Sequence, residues 1–344
     1  MPTLARLVAL VLFLAPAALA QQVEQRDKLA QSGMKFLSVD GSPRAAALGG
    51  AATVLETGPS ALFYNPAGLA RTEVGTGVFL AQTGWIADID YNHAAVSLAP
   101  GGGRYGVIGV SLLAVDYGDL QETVFDGSTD AGYRDLGTFS PSAYAVGLGY
   151  ARTVTDRFSV GGQVKFVNQD FGDVATAFTQ GDDGGDGSFT REGVSEGVFA
   201  YDFGVMYDTP FQGLGFAVSA RNFSQQAAFS DGEGYQLPLT LQIGVSLDTQ
   251  GLTGLNPSVH RLLLAVDAED PYDYSGQIEA GGEYTFANTL SLRGGVVFPS
   301  DVQSISLGAG LQQRLGGVGF GADYSYSSFD VFDSVHRIAV RFDL

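Results

Sequence analysis

From about residue 76 to the C-terminus the chain is a succession of ~10-residue segments with a two-residue period, and no other feature restricts its fold as much. Phe158, Val160, Gly162, Val164 and Phe166 share one face, with Ser159, Gln163 and Lys165 on the other. The pattern returns in Ile278, Ala280, Gly282, Tyr284 and Phe286, in Leu290, Leu292, Gly294, Val296 and Phe298, and in Val318, Phe320, Ala322, Tyr324 and Tyr326. It closes with Ile338, Val340, Phe342 and Leu344, so the chain ends on the apolar face of its last strand. The count predicts strands near 76–87, 90–99, 104–117, 137–151, 157–170, 195–208, 214–223, 239–247, 260–268, 275–286, 289–298, 302–314, 317–328 and 335–343, about fourteen in all. Between Tyr105 and Val115 both faces are apolar, and the first three strands cannot be phased.

The second face decides between a soluble and a membrane array. It carries Lys165, Asp202, Arg221, Glu279, Glu283, Arg293, Asp323, Arg337 and Arg341. A β-sandwich or propeller would have to bury these in a dry core, whereas a barrel lumen accommodates charge. A propeller would also repeat at ~40 residues, and no such repeat is present. The predicted fold is all-β: an antiparallel transmembrane β-barrel of about fourteen strands. Loop lengths agree, with the presumed outer connections 118–136, 171–194 and 224–238 long and inner turns such as 152–156 and 315–316 short. Asp88–Ile89 and Pro299–Asp301 are short for outer loops, and Thr249–Val259 is long for an inner turn.

The N-terminus has the form of a secretory signal: Arg6, then apolar Leu7 to Leu14, then Ala18-Leu19-Ala20 before Gln21. Three regions are expected: the signal peptide at 1–20, a lead-in and plug at 21–70, and the barrel at 71–344. Cysteine is absent, which excludes a lipid-anchoring cysteine after the cut, a disulfide framework and a thiolate site. The net charge of −19 excludes attraction to nucleic acid. Glycine, at 48 residues, is about twice its usual ~7%.

Phe36 to Ala70 differs from everything after it. Ser42-Pro43 reads as an N-cap with proline in the first turn, Gly49-Gly50 ends that helix, and Asn65-Pro66 opens another turn. Enzymatic signals are weak. His93, His260 and His336 are scattered and read as interface or rim residues, and neither a metal nor a cofactor is expected. The loop Gly181–Gly193 has the acidity of a calcium loop through Asp182 and Asp186 but not its spacing. The inward charges on the C-terminal strands read as cross-strand ion pairs that hold a plug, with a filter for a polar solute as the alternative.

Phe36-Leu37, Ala45 to Ala51 (AAALGGA) and Ala61 to Ala70 (ALFYNPAGLA), ahead of such an array, resemble the PorV/PorQ family of FadL-like outer-membrane proteins. Asn65, Pro66 and Ala67, followed by Gly68, look like the NPA motif in the plug of FadL-type transporters. The resemblance implies fourteen strands in the cell outer membrane of a Gram-negative-type bacterium, with the N-terminal segment folded inside as a hatch. It implies a non-enzymatic role in type 9 secretion, with three kinds of partner besides outer-membrane lipid: the secretion translocon, the C-terminal domains of exported cargo, and a surface attachment complex. The FadL side of the resemblance implies the alternative, passive transport of long-chain fatty acids or other hydrophobic compounds. Asn65-Pro66 is expected to fix the plug against the wall, close enough to inward positions such as Glu279 for cysteine cross-linking.

Overall fold

A computed structural model describes residues 32–344 apart from 73–74, 128, 180–187, 228–233, 251–255, 257, 301–302 and 330–331. The signal peptide expected at 1–20, and Asp182 and Asp186, lie outside the described residues. Sixteen strands follow the N-terminal segment: β1 (Thr76–Gly84), β2 (Asp90–Leu98), β3 (Val107–Asp116), β4 (Leu120–Phe125), β5 (Tyr133–Phe139), β6 (Ser142–Thr155), β7 (Phe158–Thr179), β8 (Ser188–Asp208), β9 (Leu214–Ser224), β10 (Thr240–Asp248), β11 (His260–Pro271), β12 (Gln277–Phe286), β13 (Leu290–Phe298), β14 (Gln303–Leu315), β15 (Val318–Phe329) and β16 (Val335–Asp343). Fourteen of them, β1–β3 and β6–β16, close into one antiparallel barrel, sealed where β1 pairs with β16 from Gly77↔Asp343 to Gly84↔His336. Closure leaves no free sheet edge, the condition for crossing a bilayer with strands.

The outward face is the apolar one, as with Leu80, Val110, Leu148, Leu292, Leu307 and Val340, all exposed. The inward face is buried, and its filling explains why the early strands cannot be phased from sequence. Phe79, Tyr91, Val107, Leu113 and Val115 point inward and are buried against the N-terminal segment, chiefly Phe36, Leu62 and Leu69. Apolar residues inside and lipid outside erase the alternation there.

Two expectations for the outer side are corrected. The stretch 118–136 is not an open loop: β4 and β5 form a hairpin separate from the barrel, and residues 137–139 belong to β5 rather than to the next barrel strand. The connection 171–194 is largely strand as well. β7 leaves β6 at Asp170 and β8 leaves β9 at Ala200, yet the two remain paired from Gly172↔Val194 to Thr179↔Ser188. This ribbon rises ~30 Å beyond the barrel at ~3.3 Å per residue. The hairpin is fastened to it through Glu122, which accepts from the Ala175 N–H at 2.7 Å and pairs with Arg191 at 2.8 Å. Those two partners hold the Glu122 carboxyl below its usual range.

Residues 32–71 fill the lumen as a hatch. Their only α-helix is α1 (Pro43–Ala47), capped by Ser42, whose Oγ accepts from Ala45 N. Short 3-10 turns at Lys35–Ser38, Gly58–Phe63 and Pro66–Arg71 make up much of the rest. The hatch enters at the outer mouth, where Gly33 N donates to Gln236 O at 3.0 Å and Ser32 and Lys35 both hold Asp273. It leaves at the inner rim, where Arg71 pairs with Asp208 and donates to Arg157 O. Between these points α1 packs on β13–β16, the Gly58–Phe63 turn on β1–β3 and the Pro66–Arg71 turn chiefly on β6–β8.

Candidate functional site

The place where chemistry could occur is the interface between hatch and wall, and its floor is glycine. An ideal Cβ on Gly295 would lie 2.1 Å from the Leu48 carbonyl carbon and 2.3 Å from Gly49 N, and one on Gly281 2.4 Å from Leu48 O. Gly281 and Gly295 are cross-strand partners on β12 and β13, so the hatch backbone rests on a paired-glycine seat. Gly49 and Gly50, at φ +73° and +98°, make the turn that brings it there, a conformation side-chain-bearing residues avoid. Gly161 accommodates the Pro66–Ala67 peptide in the same way, and Gly204 the Asn65 side chain. Part of the glycine excess is therefore room for the plug.

Asn65 anchors this second seat. Its Oδ1 accepts from Ala67 N at 3.1 Å and caps the turn. Its Nδ2 donates to Thr53 O at 3.1 Å within the hatch and to Val205 O at 3.2 Å on β8. Pro66, Ala67 and Gly68 follow in the turn, all buried. The motif thus ties the plug to the wall, at Val205 and not beside Glu279; Glu279 lies against Gly50 instead. Alanine at Asn65 should cost roughly 2–4 kcal/mol, from the lost cap and two unmet carbonyls. Faster amide exchange at Ala67 and a lower urea midpoint in lipid vesicles would report it; unchanged exchange would mean that the turn holds without its cap.

The opposite side of the hatch is held by charge. Arg44 makes a bidentate pair with Glu283, both bonds 2.9 Å, and donates to Leu55 O at 2.9 Å. Glu283 also binds Arg293 at 2.6 Å; Arg293 binds Asp323 at 2.6 Å, and Asp323 binds Arg341 at 2.9 Å. Alternating signs run from α1 across β12, β13, β15 and β16, so the buried charges are paired. Burial alone would lower the Arg44 pKa, but Glu283 more than offsets it and raises it.

The other inward charges divide by partner. Arg221 donates to Phe63 O at 2.8 Å and Arg337 to Asp40 O at 2.9 Å, and both therefore grip the hatch backbone. Lys165 and Asp202 pair within the wall at 2.8 Å. Gln242 joins Glu269 and Glu279 through one amide nitrogen, at 2.8 and 3.2 Å. Several partners were not singled out from sequence: Arg44, Asp40, Asp267, Glu269, Asp273 and Glu56, which accepts from Ser42 Oγ at 3.0 Å. Arg44 directly after the helix-starting Pro43 was a readable signal, since a lone cation in an apolar plug needs a carboxylate. Asp267, which accepts from Thr53 N at 2.8 Å, sits on an alternating strand and could have been found by continuing the inward parity. Burial raises the Asp40 carboxyl above its usual range although Arg337 and Arg221 oppose it, and burial likewise raises the Tyr64 hydroxyl.

The histidines are not all at the rim. His336 faces outward and bonds the Tyr324 hydroxyl at 2.8 Å, and His260 bonds the Tyr284 hydroxyl at 2.7 Å. His93 is buried in the lumen beside Gly41 and edge-on to Phe63, and its Nδ1 has no hydrogen-bond partner among the described residues. The cavity next to it, lined also by Asp40, Lys165, Arg221 and Leu113, has a volume of about 30 Å³. That is room for one water molecule and not for an organic substrate.

Comparison with known proteins supplies the family. The Ralstonia pickettii toluene transporter TbuX superposes with a TM-score of 0.57 at 17% identity, covering 89% of this chain and 98% of that one. The Pseudomonas putida toluene transporter TodX gives 0.56 at 14%, covering 88% and 98%. A Pseudomonas aeruginosa FadL homologue gives 0.55 at 14%, covering 89% and 99%. At these identities the likeness is one of fold: the chain has the architecture of FadL-like outer-membrane barrels. No curated protein matches the chain. Residues 137–342, more than half of its length, match the family described as type IX secretion system membrane protein PorP/SprF, the same secretion system to which the PorV/PorQ resemblance pointed, and the chain belongs to that family.

Proposed function

We propose that this outer-membrane barrel is a non-enzymatic docking component of type IX secretion, receiving exported proteins at the cell surface and handing them to attachment machinery. The observation that carries the reading is the contrast between its two ends. Among the described residues the hatch lies inside the barrel, with a cavity of about 30 Å³ beside His93, while the outer side carries a ribbon of β7 and β8 stiffened by the β4–β5 hairpin. A sealed wall with a braced external arm suits binding rather than conduction. Phe125, 80% exposed, and its cross-strand partner Tyr133 give that arm an aromatic contact of the kind favoured at protein interfaces.

Transport of hydrophobic compounds is the second reading. The apolar half of the lumen supports it, where Phe36 and Phe63 of the hatch lie on the side of Phe79 and Leu113 of the wall, together with the FadL-like fold. It requires the hatch to move. The two readings separate in a pull-down of detergent-solubilised protein, comparing the full chain with a variant in which residues 118–140 are replaced by a short linker. Identified exported proteins and secretion components should accompany the full chain and fall several-fold without the hairpin. Equal recovery from both, or a hydrophobic small molecule bound in the barrel, would favour transport.

A further inference from the structure

At the outer end of the lumen the charges do not balance. Glu269 and Glu279 lie two residues from the outer ends of β11 and β12, and Gln242 lies two from that of β10. One amide nitrogen of Gln242 donates to both carboxylates, at 2.8 and 3.2 Å. Arg221 fixes the orientation of that amide: a guanidinium can only donate, so it takes the Gln242 Oε1, at 3.3 Å. The two carboxyl groups are also within hydrogen-bond reach of each other. Among the described residues neither forms an ion pair with a cation.

Two ionised carboxylates can only accept, so a contact between them requires a hydrogen on one. The surroundings point the same way. The charged groups that face the pair are Asp267, cross-strand to Glu279, Asp40 of the hatch and Arg221 of β9. Asp267 accepts from Thr53 N, and Arg337 faces Asp40. Arg221 therefore matches one negative charge on the pair, and a second would have no partner. Glu279 cannot swing clear. Its Oε1 and Cδ lie 2.3 and 2.5 Å from where a Cβ on Gly50 would stand, so the hatch turn closes that side. Repulsion between the two glutamates would bear directly on the hatch.

We propose that Glu269 and Glu279 share one proton, and that this proton keeps the Gly49–Gly50 turn on its glycine seat. The hatch then loosens as the outside becomes alkaline, whether the barrel docks proteins or conducts. In an unfolded chain both glutamates ionise above about pH 4.3, whereas the native pair keeps its proton. The native state thus binds more protons, and its stability falls as pH rises until the pair itself ionises. One proton supplies at most a tenfold change for each unit of pH. The test uses the full-length protein in lipid vesicles and the variant Glu279→Gln, whose amide donates to Glu269 as the shared proton does. Infrared spectra at pH 7 should contain a protonated-carboxyl band in the wild type that the variant lacks. Amide exchange at Gly50, whose N–H is bonded to Ala45 O at 3.0 Å, should match in the two proteins at pH 6. At pH 9 it should be about tenfold faster in the wild type, the effect of one unit of proton linkage. Glu269→Gln, with its amide facing Glu279, should reproduce both results and serves if the first variant fails to close. An unchanged carboxyl band in the variants, or equal exchange at pH 9, would overturn the proposal. So would a pH response that disappears with EDTA, the mark of a bound divalent cation in place of the proton.

Discussion

Glu283→Gln is expected to destabilise the protein by about 3–5 kcal/mol, the usual cost of removing one member of a buried ion pair. The carboxylate is held by two guanidiniums, Arg44 at 2.9 Å and Arg293 at 2.6 Å, in a site where its own side chain is 5% exposed. Glutamine keeps the shape and removes the charge, leaving Arg44 with no other carboxylate ion pair among the described residues. A lower urea midpoint for unfolding in lipid vesicles measures the loss. Arg44→Met combined with Glu283→Gln should lose less than the sum of the two single changes, because each removes the same contact. Strict additivity would mean that the plug is not held through this pair.

Gly295→Val is expected to displace the hatch while the barrel still closes. The added carbon would fall 2.1 Å from the Leu48 carbonyl carbon, and both sides of that contact are backbone, so neither can yield by changing rotamer. Overpacking ordinarily costs about 1–3 kcal/mol, and a backbone clash lies at the upper end. The wild type, with its filled lumen, should be silent in a planar bilayer; the variant should show discrete conductance steps. A disulfide between Thr53→Cys and Gly244→Cys, positions whose β-carbons would lie 3.1 Å apart, reports the hatch directly. It should form in the wild-type background and fail with Gly295→Val. A silent variant that still cross-links would show that the seat tolerates a side chain.

Both results depend on how the lumen is divided, and that division sets what could be read from sequence. On the C-terminal strands the lumen side is charged, and positions such as Glu283, Arg293 and Asp323 stand out against apolar neighbours facing lipid. Parity alone places them inside. On β1–β3 the lumen side meets Phe36, Leu62 and Leu69, so Phe79 and Leu113 resemble the lipid-facing residues beside them. The β4–β5 hairpin was not legible for a related reason: above the membrane its alternation is set by Glu122 docking on Arg191 and Ala175, not by lipid. Asn65-Pro66 announced a turn, but its partner could not be read, because Val205 contributes a carbonyl that any residue would supply. The same holds for Gly281 and Gly295, whose purpose appears only when Leu48 is laid across them.

The course of the hatch from Gln236 and Asp273 at the outer mouth to Asp208 at the inner rim also constrains the order of assembly. The seam that closes the ring joins β1 to β16, the first strand and the last, and so carries the largest loop-closure cost of any pairing in the wall. A finished ring would have to admit the N-terminal segment along its whole length, past side chains that fit it to within a van der Waals contact. Wrapping the strands round a segment already in place avoids that passage. The glycine seats and the Arg44 pair then act as a mandrel that sets the spacing of the staves before the last two are joined.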